Sequence, residues 1–267
     1  MNKYQSAYFV NGMQRSGNHA IINWMQKQMT VPVTFLNNRE PWLEDKPIVF
    51  DKDKLVEDGN LIVSYEDIDL RGISRNKALS DHMRSREAEF GEYDDRYDIL
   101  ILRDPFNLFA SRFYGVMNNK KIRMQGSKFY QHKMSQKTFN SIELWKSHAK
   151  IFLKAMDSND SKFVTISFNA WFQNKQYRKK RAKELGIEFT DAGINDVPVA
   201  GTNSSSFDAR KFDGSAQKMN VLKRWEVAAK DQRYRKLFKD DDEIFELSER
   251  IFGKIKGIDK LRQRRYK

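Results

Sequence analysis

The sequence predicts an α/β protein, a three-layer sandwich in which a central parallel sheet is covered by helices on both faces. Two observations predict it. The strand-like segments are continuous apolar runs rather than alternating ones, and they alternate along the chain with segments of helical periodicity. The 267 residues, 39% of them hydrophobic and 32% charged, suit one domain with a sizeable core. We expect a single domain over 1–267, with a candidate insertion at 71–97 and a basic C-terminal tail at 257–267.

The elements follow one another in the expected alternation. The apolar run 7–10 predicts a short buried strand. After it, Ile21, Ile22 and Met25 recur at helical spacing. Further buried strands are expected from the runs 33–36, 61–65, 98–102 and 163–167. Further helices are expected near 105–116, 139–157, 175–186, 215–230 and 241–255.

Composition excludes several classes of protein. Cysteine is absent, so neither a disulfide framework nor a thiolate metal site can form. With four scattered histidines as well, we expect no bound metal. No apolar run approaches the 18 or more residues of a membrane helix. Because the first residues also show no charged-then-apolar leader pattern, a cytoplasmic location is expected.

The net charge of +13 fits a nucleic acid, a membrane surface or an anionic small ligand as partner. Basic residues are spread widely, with local runs at 178–181 and 262–265. A further basic segment, 118–137, contains interleaved aromatic residues. It is either a loop that binds an acidic acceptor or a solvated loop. Charge alone therefore selects no partner.

A glycine-bounded loop lies between the first strand and the first helix. Gly12 and Gly17 are five residues apart, and glycine lets a backbone wrap closely around an anion that the helix N-terminus attracts. In the nucleotide-triphosphatase loop, a Lys and a Mg²⁺-binding hydroxyl follow the second glycine. Here Asn18 and His19 stand there, so the loop predicts a phosphate site that lacks the usual Mg·ATP apparatus, with Arg15 as its cation.

A second segment predicts a second anion site. Arg103 ends the strongest strand run, and Pro105 suits the first turn of a helix. Ser111 lies about two helical turns further on. A helix that folds back past the strand end brings both residues to one anion, to which arginine offers a planar fork of donors and serine a short hydroxyl.

Both segments resemble the donor-binding motifs of the sulfotransferases that use 3′-phosphoadenosine 5′-phosphosulfate (PAPS). The run Arg15-Ser16-Gly17-Asn18-His19 is similar to the 5′-phosphosulfate loop, in which a Lys or Arg precedes Ser-Gly-Thr-Thr. Asn18 and His19 replace the two threonines, and both can still donate hydrogen bonds.

The second segment resembles the 3′-phosphate motif of the same family, where an arginine ends a strand and a serine lies eight residues on. Arg103 and Ser111 match these two positions. Downstream, Phe168 falls where the family has a tyrosine near the adenine. The acidic pair that follows that tyrosine in the family is absent here.

A third partial match lies near the C-terminus. The segment Arg210-Lys211-Phe212-Asp213-Gly214 resembles the family's Arg-Lys-Gly loop, which closes over the 3′-phosphate. By the resemblance, Arg210, Lys211 and Gly214 are donor-binding residues. The family's tryptophan just after the first loop is replaced here by Ala20.

The resemblance implies a P-loop NTPase-like sulfotransferase fold and a specific chemistry. A sulfuryl group passes from PAPS to a hydroxyl or amine of an acceptor, a carbohydrate or small molecule being favoured, and adenosine 3′,5′-bisphosphate is released. Such transfer needs positioning and stabilisation of spread negative charge, and Arg15 is the candidate cation. No metal is required if arginine and backbone N–H groups supply the charge.

The acceptor also needs a general base within hydrogen-bond reach. Glu66, at the end of the strand before the second motif, is the first candidate. Glu40 is the second candidate and His19 the third. Two alternative functions stay open: a P-loop-type nucleotide or small-molecule kinase, and a non-catalytic basic protein that binds nucleic acid. The missing Lys and Mg²⁺ ligand disfavour the kinase, and we do not expect a nucleic-acid partner.

Overall fold

A computed structural model describes residues 3–37, 56–117, 127–157, 162–198 and 207–262. Within these residues the sheet contains five strands: β1 (Lys3–Gly12), β2 (Val33–Leu36), β3 (Asn60–Glu66), β4 (Glu92–Leu102) and β5 (Phe163–Ser167). Their order across the sheet is β2-β3-β1-β4-β5, and every neighbouring pair is parallel. The α/β fold class with a central parallel sheet is confirmed.

Helices flank the sheet. Those found in the described residues are α1 (Asn18–Gln26), α2 (Leu70–Arg75), α3 (Lys77–Ala88), α4 (Pro105–Met117), α5 (Ser127–Met156), α6 (Phe168–Gln173), α7 (Lys175–Glu184), α8 (Arg224–Ala228), α9 (Gln232–Lys236) and α10 (Asp242–Phe252). The described residues also include two 3-10 turns, at Ala216–Lys218 and Ile258–Leu261. No helix in these ranges is both long and apolar enough to span a membrane.

The core lies on both faces of the sheet. One face packs against a cluster that contains Phe109 of α4 and Trp145 of α5, both buried. The other packs against Trp24 of α1 and Trp171 of α6, whose rings meet edge to face. Since both faces are covered, the strands read as continuous apolar runs, which is why the sequence reveals them.

The strand order brings the carboxyl ends of three strands together. Gly12, the last residue of β1, lies in register with Glu66, the last residue of β3, on one side and with Ile101 of β4 on the other. The glycine loop after β1, Glu66 and Arg103, just after β4, therefore share one edge of the sheet. Ligands of open parallel sheets bind at this edge.

The polar stretch 71–97 contributes to two parts of the fold. It contains most of α2, all of α3, and, from Glu92, the first half of β4. Parallel strands need a crossover connection, and α2 and α3 form the one from β3 to β4. In the expected tail 257–267, Ile258 and Leu261 are buried, whereas residues 263–267 lie outside the described part of the chain. The single-domain organisation stays a prediction.

The single helix expected over 215–230 is wrong. The structure has a 3-10 turn and the short α8 there, separated by an irregular stretch. In that stretch the carbonyl of Val221 accepts from the Arg103 side chain, and the carbonyl of Leu222 accepts from Asn107 at 3.0 Å. Tertiary partners therefore take the acceptors that a continuous helix would use internally. The loop expected over 118–137 is wrong for residues 127–137, which belong to the helix α5, whereas residues 118–126 lie outside the described chain.

A buried ion pair ties α1 and α7 to the loop that follows α7. Arg178 donates to both carboxylate oxygens of Asp191, at 2.7 and 2.8 Å, and Trp24 donates to the same carboxylate at 3.1 Å. Burial raises the pKa of the Asp191 carboxyl. The hydrogen bonds and charge of Arg178 outweigh that effect and hold the pKa below its ordinary value of 3.8.

We expect Asp191→Asn to lower the free energy of unfolding by about 2 kcal/mol at pH 7, because a charged hydrogen-bond partner is lost. A carboxyl with a lowered folded-state pKa stabilises above its unfolded pKa and loses that contribution as the pH falls through the folded value. The wild-type advantage should therefore shrink below about pH 4. Urea titrations between pH 3 and 7 measure it, and a constant difference would contradict the assignment. Asp94→Asn, in an exposed pair with Lys3, is the control and should change stability by less than about 0.5 kcal/mol.

Candidate functional site

The loop between β1 and α1 is a sharp turn built on two residues with positive φ. Gly17 has a φ of 90° and Arg15 a φ of 74°. The N–H of Ser16 donates back to the carbonyl of Met13 at 3.0 Å, which closes the turn. α1 then begins directly at Asn18, so its first N–H groups lie next to the loop. The expected strand–loop–helix arrangement around Gly12 and Gly17 is present.

Two buried polar side chains, one in this loop and one at the start of α1, have atoms without hydrogen-bond partners among the described residues. Ser16 is fully buried, and its Oγ is one of these atoms. Asn18 donates from Nδ2 to the carbonyl of Met13 at 3.2 Å and to Glu66 at 3.3 Å, whereas its Oδ1 is the second such atom. Buried polar atoms are normally paired. A buried hydroxyl that has no hydrogen-bond partner and lies beside a helix N-terminus is suited to bind an anion.

The candidate bases differ in their placement. Glu66 is partly exposed at the carboxyl end of β3 and contacts the first residue of α1 through the Asn18 hydrogen bond. His19 pairs through Nε2 with Oδ1 of Asn37 at 2.9 Å. Glu40 lies outside the described residues. The structure therefore brings Glu66 to the edge of the sheet that holds the glycine loop.

Arg103 is buried at the end of β4, with 2% of its surface exposed. Its Nη1 donates to the carbonyl of Arg15 at 3.2 Å and to the hydroxyl of Ser111 at 3.3 Å. Its Nη2 donates to the carbonyl of Val221. The indole of Trp145 donates to the Arg103 carbonyl at 2.9 Å and so holds the backbone at this point. The structure thus brings Arg103 and Ser111 together, and their binding of a 3′-phosphate stays a prediction.

A second buried arginine, which the motifs do not predict, meets the same serine. Nη1 of Arg224 donates to the Ser111 hydroxyl at 3.2 Å, and its Nη2 donates to Asp208 at 3.0 Å. Its guanidinium also lies 4.8 Å from the centre of the Phe207 ring. The sequence around Arg224 contains no spacing that marks it, because its partner Ser111 lies 113 residues away.

The electrostatics of this cluster favour an anion. Burial and the neighbouring Arg224 cation lower the pKa of Arg103 to about 9, and Asp104 opposes this only in part. Burial also lowers the pKa of Arg224, although the hydrogen bond and charge of Asp208 oppose the shift. Both cations are thus disfavoured by their surroundings, and a bound anion would stabilise them.

Arg15 lies beside the same helix as Ser111. Its guanidinium is 3.8 Å from the point that a Cβ on Gly115 would occupy, one helical turn beyond Ser111. Its charge also contributes to the lowered pKa of Arg224. The loop cation and the Arg103–Ser111–Arg224 cluster are therefore close to one another, and we refer to all four residues as the arginine cluster.

Phe168 packs between the glycine loop and Arg103. Its buried ring lies 5.0 Å from the Arg103 guanidinium carbon. A Cβ on Gly17 would stand only 2.2 Å from the same ring, so the loop touches this ring through a residue without a side chain. The predicted contact of Phe168 with an adenine stays a prediction.

The C-terminal segment that resembles an Arg-Lys-Gly loop is exposed. Arg210 forms an ion pair with Asp213, and the Lys211 ammonium lies 5.6 Å from the centre of the Phe212 ring. Within the described residues, neither side chain donates to the hydroxyl of Ser111, which accepts from Arg103 and Arg224. Gly214 has a φ of 77° with open space around it. The binding role expected for Arg210, Lys211 and Gly214 stays a prediction.

Metal ligands are not clustered in the part of the chain that the structure describes. No group of three or more His, Cys, Asp or Glu side chains there could hold a metal ion. The arginine cluster contributes three guanidinium groups to this edge of the sheet.

No family model and no curated protein sequence matches the chain. Solved structures match it in fold. Mouse sulfotransferase SULT7A1 complexed with PAP has a TM-score of 0.51 at 15% sequence identity, over 92% of this chain and 85% of that one. The sulfotransferase domain of the Synechococcus PCC 7002 olefin synthase has a TM-score of 0.39 at 10% identity, over 86% of this chain and 97% of that domain. The sulfotransferase domain of the curacin biosynthetic pathway has a TM-score of 0.40 at 10% identity, over 88% of this chain and 96% of that domain.

The parallel sheet, with a glycine loop between its first strand and first helix, places the chain in the class of α/β proteins with a P-loop-like fold. Within that class, the structural likeness to SULT7A1 shows that the chain has the sulfotransferase fold, as a divergent example of it. At 15% sequence identity, the similarity to SULT7A1 establishes a shared fold and not a shared activity.

The backbone at Gly17 provides a stability test of the loop. We expect Gly17→Ala to destabilise the protein by about 3 kcal/mol, because the positive φ and the clash with Phe168 both oppose a methyl group. Gly214→Ala is the matched control, with a similar φ but open space, and should cost about 1 kcal/mol. Urea unfolding measures both. Equal losses at the two positions would show that Phe168 does not pack against the loop.

Proposed function

We propose that the protein is a PAPS-dependent sulfotransferase that transfers a sulfuryl group to a hydroxyl or amine of an acceptor. The observation that carries the proposal is the arginine cluster: two buried guanidinium groups meet the Ser111 hydroxyl, next to a glycine loop with a third arginine. Two neighbouring anion-binding features suit a nucleotide phosphorylated at both the 3′ and the 5′ position.

The residues that are present fit such a donor better than Mg·ATP. Asn18 and His19 stand where a nucleotide triphosphatase has its Lys and Mg²⁺-binding hydroxyl. Nε of Arg103 and Oγ of Ser16 are buried without hydrogen-bond partners among the described residues, and both can donate to phosphate oxygens. We assign the 3′-phosphate to Arg103, Ser111 and Arg224, and the 5′-phosphosulfate to the glycine loop with Arg15.

When bound, PAPS supplies the sulfuryl group and leaves as adenosine 3′,5′-bisphosphate. Arg15 stabilises the negative charge that develops on the leaving 5′-phosphate. Glu66 takes the proton of the acceptor as the acceptor oxygen or nitrogen bonds to sulfur and the bridging sulfur–oxygen bond breaks. Its partly exposed carboxylate, held by Asn18 at the mouth of the loop, suits this role. Glu40 is the second candidate base.

Thermal shift with a panel of ligands tests the donor. Adenosine 3′,5′-bisphosphate should raise the melting temperature more than adenosine 5′-monophosphate does, because only the bisphosphate also engages Arg103 and Ser111. ATP with Mg²⁺ and a DNA oligonucleotide should give smaller shifts. A shift with ATP and Mg²⁺ but none with the bisphosphate would favour a kinase. A strongly salt-dependent shift with DNA alone would favour a nucleic-acid-binding protein.

Substitutions in the arginine cluster test the assignment of the 3′-phosphate. Ser111→Ala and Arg224→Gln should each weaken bisphosphate binding about tenfold, since each removes a hydrogen bond to a charged group. Binding of adenosine 5′-monophosphate should change by less than about twofold. Arg210→Gln is the matched control for Arg224→Gln: its exposed guanidinium already pairs with Asp213, so we expect a smaller effect. Calorimetric titration measures all three, and a larger loss with Arg210→Gln would restore the role predicted from the sequence.

A further inference from the structure

A charged pair that is not part of the arginine cluster contacts the backbone of the glycine loop. Asp67 follows Glu66 at the end of β3, and Arg112 follows Ser111 in α4. Nη2 of Arg112 donates to Oδ1 of Asp67. Both side chains are only partly exposed, Arg112 to 12% and Asp67 to 30%.

The pair anchors the loop backbone at three points. The N–H of Asp67 donates to the carbonyl of Gly12 at 3.1 Å. Its carboxylate accepts from the N–H of Gln14 at 3.1 Å. Nε of Arg112 donates to the carbonyl of Gln14 at 2.9 Å. The backbone N–H and the backbone carbonyl of Gln14, the residue directly before Arg15, are therefore both hydrogen-bonded by the pair.

Arg112 is itself fixed from the other side. Its Nη1 donates to the hydroxyl of Ser141 in α5 at 3.0 Å, so all three of its nitrogens have acceptors. The planar guanidinium spans the loop, Asp67 and α5 at once, which a lysine ammonium on a flexible stem cannot reproduce. The contacts therefore define the orientation of the loop relative to α4.

The backbone of Asp67 is also constrained. Its φ of 60° lies in the left-handed region, where aspartate and asparagine are tolerated better than most residues. This turn directs the carboxylate of Asp67 toward the loop while the preceding Glu66 contacts Asn18. The same turn therefore places Asp67 against the glycine loop and Glu66, the candidate base, against Asn18.

We propose that Asp67 and Arg112 are positioning residues that fix the glycine loop, and with it Arg15, in the geometry that binds the 5′-phosphosulfate. The inference rests on the proposed function. Consecutive residues of α4 then serve the two halves of the donor: Ser111 lies in the 3′-phosphate site, and Arg112 acts on the 5′-site through the loop. Neither positioning side chain needs to touch the donor.

The test separates the two phosphates. Calorimetric titration gives Kd for adenosine 3′,5′-bisphosphate, adenosine 3′-monophosphate and adenosine 5′-monophosphate. The ratio of 3′-monophosphate to bisphosphate Kd measures the benefit of the 5′-phosphate, and the ratio of 5′-monophosphate to bisphosphate Kd that of the 3′-phosphate. In Asp67→Asn and Arg112→Gln we expect the 5′-benefit to fall about tenfold and the 3′-benefit to change by less than about twofold.

Three controls sharpen the comparison. Ser111→Ala should show the reverse pattern, with the 3′-benefit lost and the 5′-benefit kept. Asp95→Asn removes a carboxylate from an ion pair with Lys162, 2.6 Å apart at the amino-terminal side of the sheet, and should leave both ratios unchanged. The double variant of Asp67 and Arg112 should lose no more than the larger single loss, because the two residues act as one unit.

The outcomes of these titrations separate the proposed function from the positioning role of Asp67 and Arg112. If the wild-type protein does not bind the bisphosphate in preference to both monophosphates, the proposed function fails. If it does, and Asp67→Asn and Arg112→Gln keep the 5′-benefit, the positioning role is wrong. Equal loss of both benefits shows a general structural role and also overturns it. Should Arg112→Gln not fold, Asp67→Asn, which keeps the side chain shape and the tolerance for positive φ, carries the test with Arg112→Lys.

Discussion

The burial of the Arg103 guanidinium is the constraint on which the carboxyl edge of the sheet depends. A cation that leaves water must be hydrogen-bonded by the protein, and Arg103 finds its acceptors in three separate segments. Arg15 lies 88 residues away in sequence, Ser111 eight and Val221 118. Satisfying one side chain therefore brings the glycine loop, α4 and the irregular stretch before α8 to one place.

Much of the fold could be predicted because its signals are local. Strands covered on both faces leave continuous apolar runs, and the five runs of this chain all became parallel strands. The Arg103–Ser111 spacing is local too, since both residues belong to one strand-to-helix unit. The helix expected over 215–230 failed because its periodicity is a local signal, whereas the carbonyls of Val221 and Leu222 bond to distant side chains.

The parts of the candidate site that sequence did not reveal depend on long-range contacts. Arg224 meets Ser111 across 113 residues, and Arg112 meets Asp67 across 45. No spacing rule connects residues so far apart, and both arginines belong to a chain with 49 Lys and Arg side chains. In a sequence this basic, only the folded structure distinguishes the arginines that are buried from those that are solvated.

The contact between Arg103 and the Val221 carbonyl also links the carboxyl edge of the sheet to the C-terminal third of the chain. Nη1 and Nη2 of Arg103 already donate within the protein, whereas Nε is buried without a hydrogen-bond partner among the described residues. An acceptor that entered here would meet Nε or replace a protein acceptor. Substitutions in the stretch before α8 would therefore alter the surroundings of Arg103, although the two lie 118 residues apart in sequence.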